Sequence, residues 1–242
     1  MNLSALYVYP VKACAAVAVD EAALGPLGLE HDRRFSFVHP DGTALTQREQ
    51  PMLATVRPTL HGNELRLDFG GLFDLTLSSF EEPIVVDVWG KRIPGRSAPE
   101  RLVASAAEFL GTPVRLVALD PAAQRAFGDS APVLVTSTLA LSGLGVGMER
   151  FRPNVVVDGA ETWSVLEGES ALLERVMPCG RCEVTTIDQA SGERRGPEPL
   201  RTLTERFEGN FGVYCRVLRA GRLRRGEELR PRFRGDDFRP SL

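Results

Sequence analysis

The feature that most constrains the fold is a succession of short apolar runs, each closed by a turn signal. Residues 3–9, 16–22, 34–38, 64–69, 73–77 and 84–88 are only five to seven residues long, which suits strands better than helices. Pro40-Asp41-Gly42 and Gly70-Gly71 separate some of them, and these residues adopt the backbone angles that tight hairpins need. Within 64–69, Leu65, Leu67 and Phe69 alternate with Arg66 and Asp68, so one face is apolar and the other polar, as in a half-buried strand. Many short strands avoid exposed edges by closing on themselves. The expected fold is therefore mainly β with some α (α+β), arranged as two β-barrel-like domains.

Further along, residues 99–110 read as the first helix. Pro99 suits its opening turn and Gly111 its cap, and Leu102, Val103, Ala106, Phe109 and Leu110 form one stripe at helical spacing. A strand-like run at 114–119 is followed by a polar, irregular stretch, 120–130, read as a linker or active-site loop. A second β-rich section has strand candidates at 154–158, 182–188, 213–218 and 228–233, with a short helix at 200–207. The expected division is 1–119, 120–235 and a polar tail, 236–242, that frays.

Bulk composition sets limits on function. A net charge of −3 over 242 residues lacks the basic excess of a nucleic-acid binder. No segment approaches the roughly 18 uninterrupted apolar residues of a membrane helix. The N-terminus runs straight into strand-like sequence without a basic leader. Four cysteines in a chain of this length do not make a disulfide framework. A cytoplasmic protein with reduced thiols, acting on neither nucleic acid nor membrane, is expected.

Chemistry concentrates in Cys179-Gly180-Arg181-Cys182. An arginine beside two thiols favours the thiolate, a soft ligand for a metal in a sulfur-rich site. The same spacing is half of a zinc site, but zinc needs about two more ligands, and Cys14, Cys215, His31, His39 and His61 are scattered. It is also a redox pair, though without the βαβ setting of one, or two inert buried thiols. A second feature, Arg150-Phe151-Arg152-Pro153-Asn154, leads into the strand Val155-Val156-Val157. Arg152 suits bidentate phosphate binding and Asn154 both donates and accepts. A third comprises Tyr9-Pro10-Val11-Lys12 and Asp32-Arg33-Arg34-Phe35, which supply cations at strand ends. Together they make a site for an anionic ligand, or simply a charged surface.

Taken in order, these motifs resemble the MOSC family, named for the C-terminal domain of molybdenum cofactor sulfurases. The likeness continues through Trp163, Thr185-Thr186-Ile187-Asp188, Pro199-Leu200-Arg201-Thr202-Leu203 and Asn210-Phe211-Gly212-Val213. The first half is similar to the β-barrel domain that precedes MOSC in many members, including the amidoxime-reducing components of mitochondria and their bacterial relatives. The resemblance implies a molybdenum cofactor of the molybdopterin type, with Cys182 as the protein's ligand to the metal. It assigns Lys12, Arg33, Arg152 and Asn154 to the cofactor, the cations meeting the phosphate and Asn154 the pterin. Asp129 and Ser130 are placed at the metal pocket, Asp129 orienting substrate or relaying protons.

The implied activity is reduction of small N-hydroxylated compounds such as hydroxylamines, amidoximes and N-hydroxylated bases. Position 13, often serine in the family, is Ala13 here, at a cost of about one hydrogen bond. No cysteine-rich ferredoxin-like domain follows Gly226, so electrons are expected from a separate reductase or ferredoxin-type protein. The alternative is a sulfur or molybdenum-cofactor carrier that uses Cys182 as persulfide or cofactor anchor, with a zinc-stabilised module a more distant third.

Overall fold

The computed structural model describes residues 1–62 and 64–233, so the tail expected at 236–242 lies outside the described residues. The architecture is mainly β. The largest sheet has eight strands, in the order Arg230–Arg232, Val165–Glu167, Leu172–Gly180, Asn210–Arg219, Val133–Ser137, Val155–Val157, Leu3–Val8 and Val17–Val19. Its neighbours are antiparallel except for Val133–Ser137 against Val155–Val157, which run parallel. A second sheet joins Phe35–Val38, Arg115–Leu119, Lys91–Ser97 and Glu82–Val88, and two three-stranded sheets complete the fold.

Sheet membership does not follow chain order. Leu3–Val8 pairs with Val17–Val19 on one edge and with Val155–Val157 on the other, with Leu6 opposite Val155. In return, Gly221–Arg224 pairs with Glu21–Gly25. One apolar cluster, built on Leu3, Leu6, Val135, Val157, Trp163 and Leu173, lies against the large sheet. Another, built on Phe37, Leu53, Leu65, Phe69 and Leu110, fills the first half of the chain. The alternation in Glu64–Phe69 has the expected consequence: Leu65, Leu67 and Phe69 are fully buried.

Several expected elements take a different form. The 16–22 run is two strands, Val17–Val19 and Glu21–Gly25, which change sheets at Asp20, whose carbonyl accepts from Arg225 N–H. The 99–110 helix is a 3-10 turn, Glu100–Leu102, followed by the α-helix Ala104–Leu110. Gly111 ends it at φ +63° as expected, its N–H returning to Ala107 and Glu108.

The largest correction concerns 182–188, read as a strand and observed as a 3-10 turn, Glu183–Thr186. Thr185 Oγ1 donates to the Cys182 carbonyl at 2.9 Å and Thr186 Oγ1 to that of Glu183 at 2.7 Å. These local bonds compete with a ladder and fold the segment back. The strand lies before the cysteines instead. Leu172–Gly180 was not expected because Glu174, Arg175 and Pro178 interrupt its pattern, and its register against Asn210–Arg219 shifts on both sides of Met177-Pro178.

Beside the large sheet, Glu161 keeps one carboxyl oxygen, Oε1, buried without a hydrogen-bond partner among the described residues. Burial pushes its carboxyl up to about 7, against a Ser137 backbone hydrogen bond and the Arg175 charge. Between about pH 4.5 and 7 the folded chain therefore holds a proton that the unfolded chain has released, and stability falls as pH rises through that window. Glu161→Gln should flatten this fall by on the order of 2 kcal/mol. Urea unfolding of both proteins at pH 5 and 7.5 checks it, and equal slopes would contradict it.

Candidate functional site

A cavity of about 530 Å³ opens where the N-terminal segment, the hairpin of Glu82–Val88 with Lys91–Ser97, residues 129–131 and the end of strand Leu172–Gly180 converge, a size typical of ligand sites. All seven residues singled out in the sequence line it. The pairing of Leu3–Val8 with Val155–Val157 brings Tyr9 to Lys12 beside Arg152 to Asn154, and Tyr7 N–H bonds the Asn154 carbonyl at 2.8 Å.

The cationic wall is built on Tyr9. This ring is buried, and the guanidinium carbons of Arg152 and Arg33 lie 4.4 and 5.0 Å from its centroid, within the range of cation–π attraction. Tyr9 donates to the Pro153 carbonyl at 3.2 Å. Burial raises its phenol above the ordinary range, with the two arginines opposing. Arg152 is clamped by Gln189 Oε1 at 3.0 Å and the Cys14 carbonyl at 2.7 Å, and burial lowers its pKa from the usual arginine value. Burial also disfavours the Arg33 charge, but Asp32 and Asp129 outweigh it and raise its pKa.

Backbone strain gathers at the same place. Six non-glycine residues among those described have positive φ, and four of them, Ala13, Arg33, Trp89 and Arg152 (φ +50° to +67°), line the cavity. Such conformations cost of order 1 kcal/mol or more each and persist where the surroundings enforce them, commonly at ligand sites.

Asn154 is held on every side. Its Oδ1 accepts from Leu134 N–H at 3.1 Å and Arg33 at 3.3 Å, and its Nδ2 donates to the Tyr7 carbonyl at 3.3 Å. The amide thus ties three segments together and aims Arg33. Lys12, only 6% exposed, donates to Asp129 Oδ1 at 2.7 Å, and the Trp89 indole N–H meets the same oxygen at 3.1 Å. Burial works against the Asp129 charge, but Lys12, Arg33 and the indole overcome it and hold the carboxyl below the usual carboxylate range. Its side chain is ringed by protein yet opens on the cavity, 47% accessible. Ser130 is exposed at the rim.

At the other end stands the cysteine pair. All four cysteines lie among the described residues, and Cys182 is the one that is not buried. Burial pushes the Cys14 thiol up to about 12 and that of Cys215 higher still. Cys179 is buried and accepts from Arg181 at 2.9 Å, while Arg181 also donates to the Phe151 carbonyl at 2.6 Å. The arginine of the motif therefore serves Cys179. Cys182 faces Arg48, whose pKa is raised by hydrogen bonding to that sulfur, with burial opposing. Arg150 anchors the turn behind it, donating to the Thr185 carbonyl at 3.3 Å.

Arg48 and Trp89 escaped the sequence reading. Arg48 sits in a polar run without periodicity, and no local pattern marks it. Trp89-Gly90 did carry a signal, because a tryptophan in a two-residue hairpin loop is out of place.

Residues 1–113 match the MOSC N-terminal beta barrel domain and residues 122–230 the MOSC domain. The chain belongs to the MOSC family. It is 30% identical to mitochondrial amidoxime reducing component 2 of Bos taurus, over 94% of this chain and 82% of that one. It is 31% identical to mitochondrial amidoxime-reducing component 1 of Homo sapiens, over 84% of this chain and 71% of that one. Against the molybdenum cofactor sulfurase of Danio rerio the identity is 29%, over 88% of this chain but 31% of that protein.

Asn154→Ala leaves the buried Leu134 N–H without its acceptor and Arg33 without its guide. It should destabilise the chain by about 2 kcal/mol, measured by chemical denaturation. A loss below about 0.5 kcal/mol would contradict the anchoring role.

Proposed function

We propose that this chain binds a molybdenum cofactor of the molybdopterin type through Cys182 and reduces N-hydroxylated compounds. The observation that carries this reading is a ligand-sized cavity whose cations lead to one accessible thiol. Lys12, Arg33, Arg48, Arg152 and Arg181 line it against a single carboxylate, Asp129, in a chain whose net charge is −3. That balance suits a polyanionic ligand.

The donor set fits such a group better than a zinc ion. Among the described residues no three His, Cys, Asp or Glu side chains cluster to hold a metal, whereas a metal that brings its own sulfur ligands needs one from the protein. The relatives named for amidoxime reduction and for the molybdenum cofactor support the same reading.

The overall reaction is R–NH–OH plus two electrons and two protons to R–NH2 and water. The cofactor, when bound, supplies the two-electron reduction. Lys12, Arg33 and Arg152 hold its anionic portion, and Cys182 supplies the protein's sulfur. Asp129, held below the usual carboxylate range by Lys12, Arg33 and Trp89, is an acceptor rather than a proton donor, so it orients the hydroxyl of the substrate. Electrons come from a separate reductase or ferredoxin-type protein. No helix among the described residues is long and apolar enough to cross a membrane.

Protein produced in a host that makes the cofactor should carry about one molybdenum per chain and reduce benzamidoxime with an artificial donor. Cys182→Ser should lose at least about 100-fold in turnover. Full metal content without turnover of any N-hydroxylated compound would overturn the catalytic reading. A persulfide on Cys182 by mass spectrometry, with no molybdenum, would establish the carrier instead.

A further inference from the structure

We infer that Trp89, with Arg48 laid on its ring, is the platform that selects flat, conjugated N-hydroxylated substrates over small aliphatic ones. The inference rests on the reductase reading above and adds the residue that sets its specificity.

Trp89 and Gly90 form the two-residue tip of the hairpin between Glu82–Val88 and Lys91–Ser97, with φ of +55° and +78°. Asparagine-glycine suits such a tip, and a bulky residue at positive φ is a backbone outlier. The cost is sustained by contacts that aim the ring: its N–H reaches Asp129 at 3.1 Å, and Asp87 Oδ1 accepts from Gly90 N–H at 2.9 Å. The ring is 51% exposed and lines the cavity. Among the described residues, Trp89 belongs to none of the apolar clusters. The site is charged and open.

The Arg48 guanidinium carbon lies 4.6 Å from the Trp89 ring centroid. A flat, delocalised N–C–N group therefore already rests on this surface. An amidoxime or an N-hydroxylated base presents the same planar geometry and stacks on the pair, either upon the guanidinium or in its place. Asp129, bonded to the indole, and Cys182, beside Arg48, then flank the stacked group. A stacked ligand meets the carboxylate that orients its hydroxyl at one edge and the sulfur end of the cavity at the other. Hydroxylamines without a conjugated system have nothing to stack.

Two readouts test this. The first uses emission, since the chain has two tryptophans and Trp163 is 1% exposed. Benzamidoxime should quench the wild-type chain, as purified, saturably; Trp89→Phe, which leaves only the buried emitter, should show no saturable quenching. N-methylhydroxylamine should quench neither. Quenching that rises linearly without saturation would overturn the platform, whatever the enzyme does.

The second is the ratio of kcat/KM for benzamidoxime to that for N-methylhydroxylamine. Trp89→Leu should lower it about tenfold, the scale of one stacking contact, through KM for the flat substrate. Trp89→Phe, which keeps a ring but loses the indole N–H, should stay within about threefold of wild type. An unchanged ratio in Trp89→Leu, or an equal fall in both variants, would overturn the inference and assign Trp89 to holding Asp129. If the wild type turns over neither substrate at full molybdenum content, the reductase reading fails on its own terms, and the quenching still decides the stacking site.

Discussion

The antiparallel pairing of Leu3–Val8 with Val155–Val157 underlies the rest of the site. It joins the first strand of the chain, which Val17–Val19 flanks on its other side, to the strands of the second half, and so carries Tyr9 and Lys12 to the turn that holds Arg152 and Asn154. Both Arg33 and Arg152 then lie over the Tyr9 ring, Asp32 Oδ1 accepts from Tyr9 N–H at 2.8 Å, and the Asn154 amide ties Leu134, Arg33 and Tyr7 together. Without that pairing, the cations would be dispersed over separate surfaces.

Assembling several positive groups around one cavity is costly, because burial and mutual repulsion both oppose their charge. The opposition is visible in Arg152, whose pKa falls with burial despite its place over a tyrosine ring. Compensation is local: Asp32 and Asp129 support Arg33, Gln189 and the Cys14 carbonyl clamp Arg152, and Asp129 answers Lys12. The same arrangement sustains four strained backbone positions. A fold selected for stability alone has little reason to keep these features.

How much of this was legible in the sequence depends on range. Local alternation gave Glu64–Phe69 and its buried face, and glycine chemistry gave the cap at Gly111. The seven candidate residues were legible through ordered family motifs, and they do converge on one cavity. What local pattern could not convey was competition between local and long-range bonds. Thr185 and Thr186 turn a strand-like run into a 3-10 turn, and the strand Leu172–Gly180 is sustained by its partner despite Pro178. Nor does sequence say which thiol the motif's arginine serves: Arg181 goes to Cys179, while the cation at Cys182 is Arg48, more than 130 residues away in the chain.

The two cysteines of one short motif thus sit in different surroundings, one buried and bonded to an arginine, the other open to the cavity. The central claim is that the open one, Cys182, completes the coordination of a molybdenum whose other sulfurs come from its cofactor. X-ray absorption at the molybdenum edge, on loaded wild type, Cys182→Ser and Cys179→Ser, tests it most directly. The account predicts one sulfur neighbour fewer in Cys182→Ser and an unchanged shell in Cys179→Ser. The same sulfur count in wild type and Cys182→Ser, with the metal retained, would contradict it.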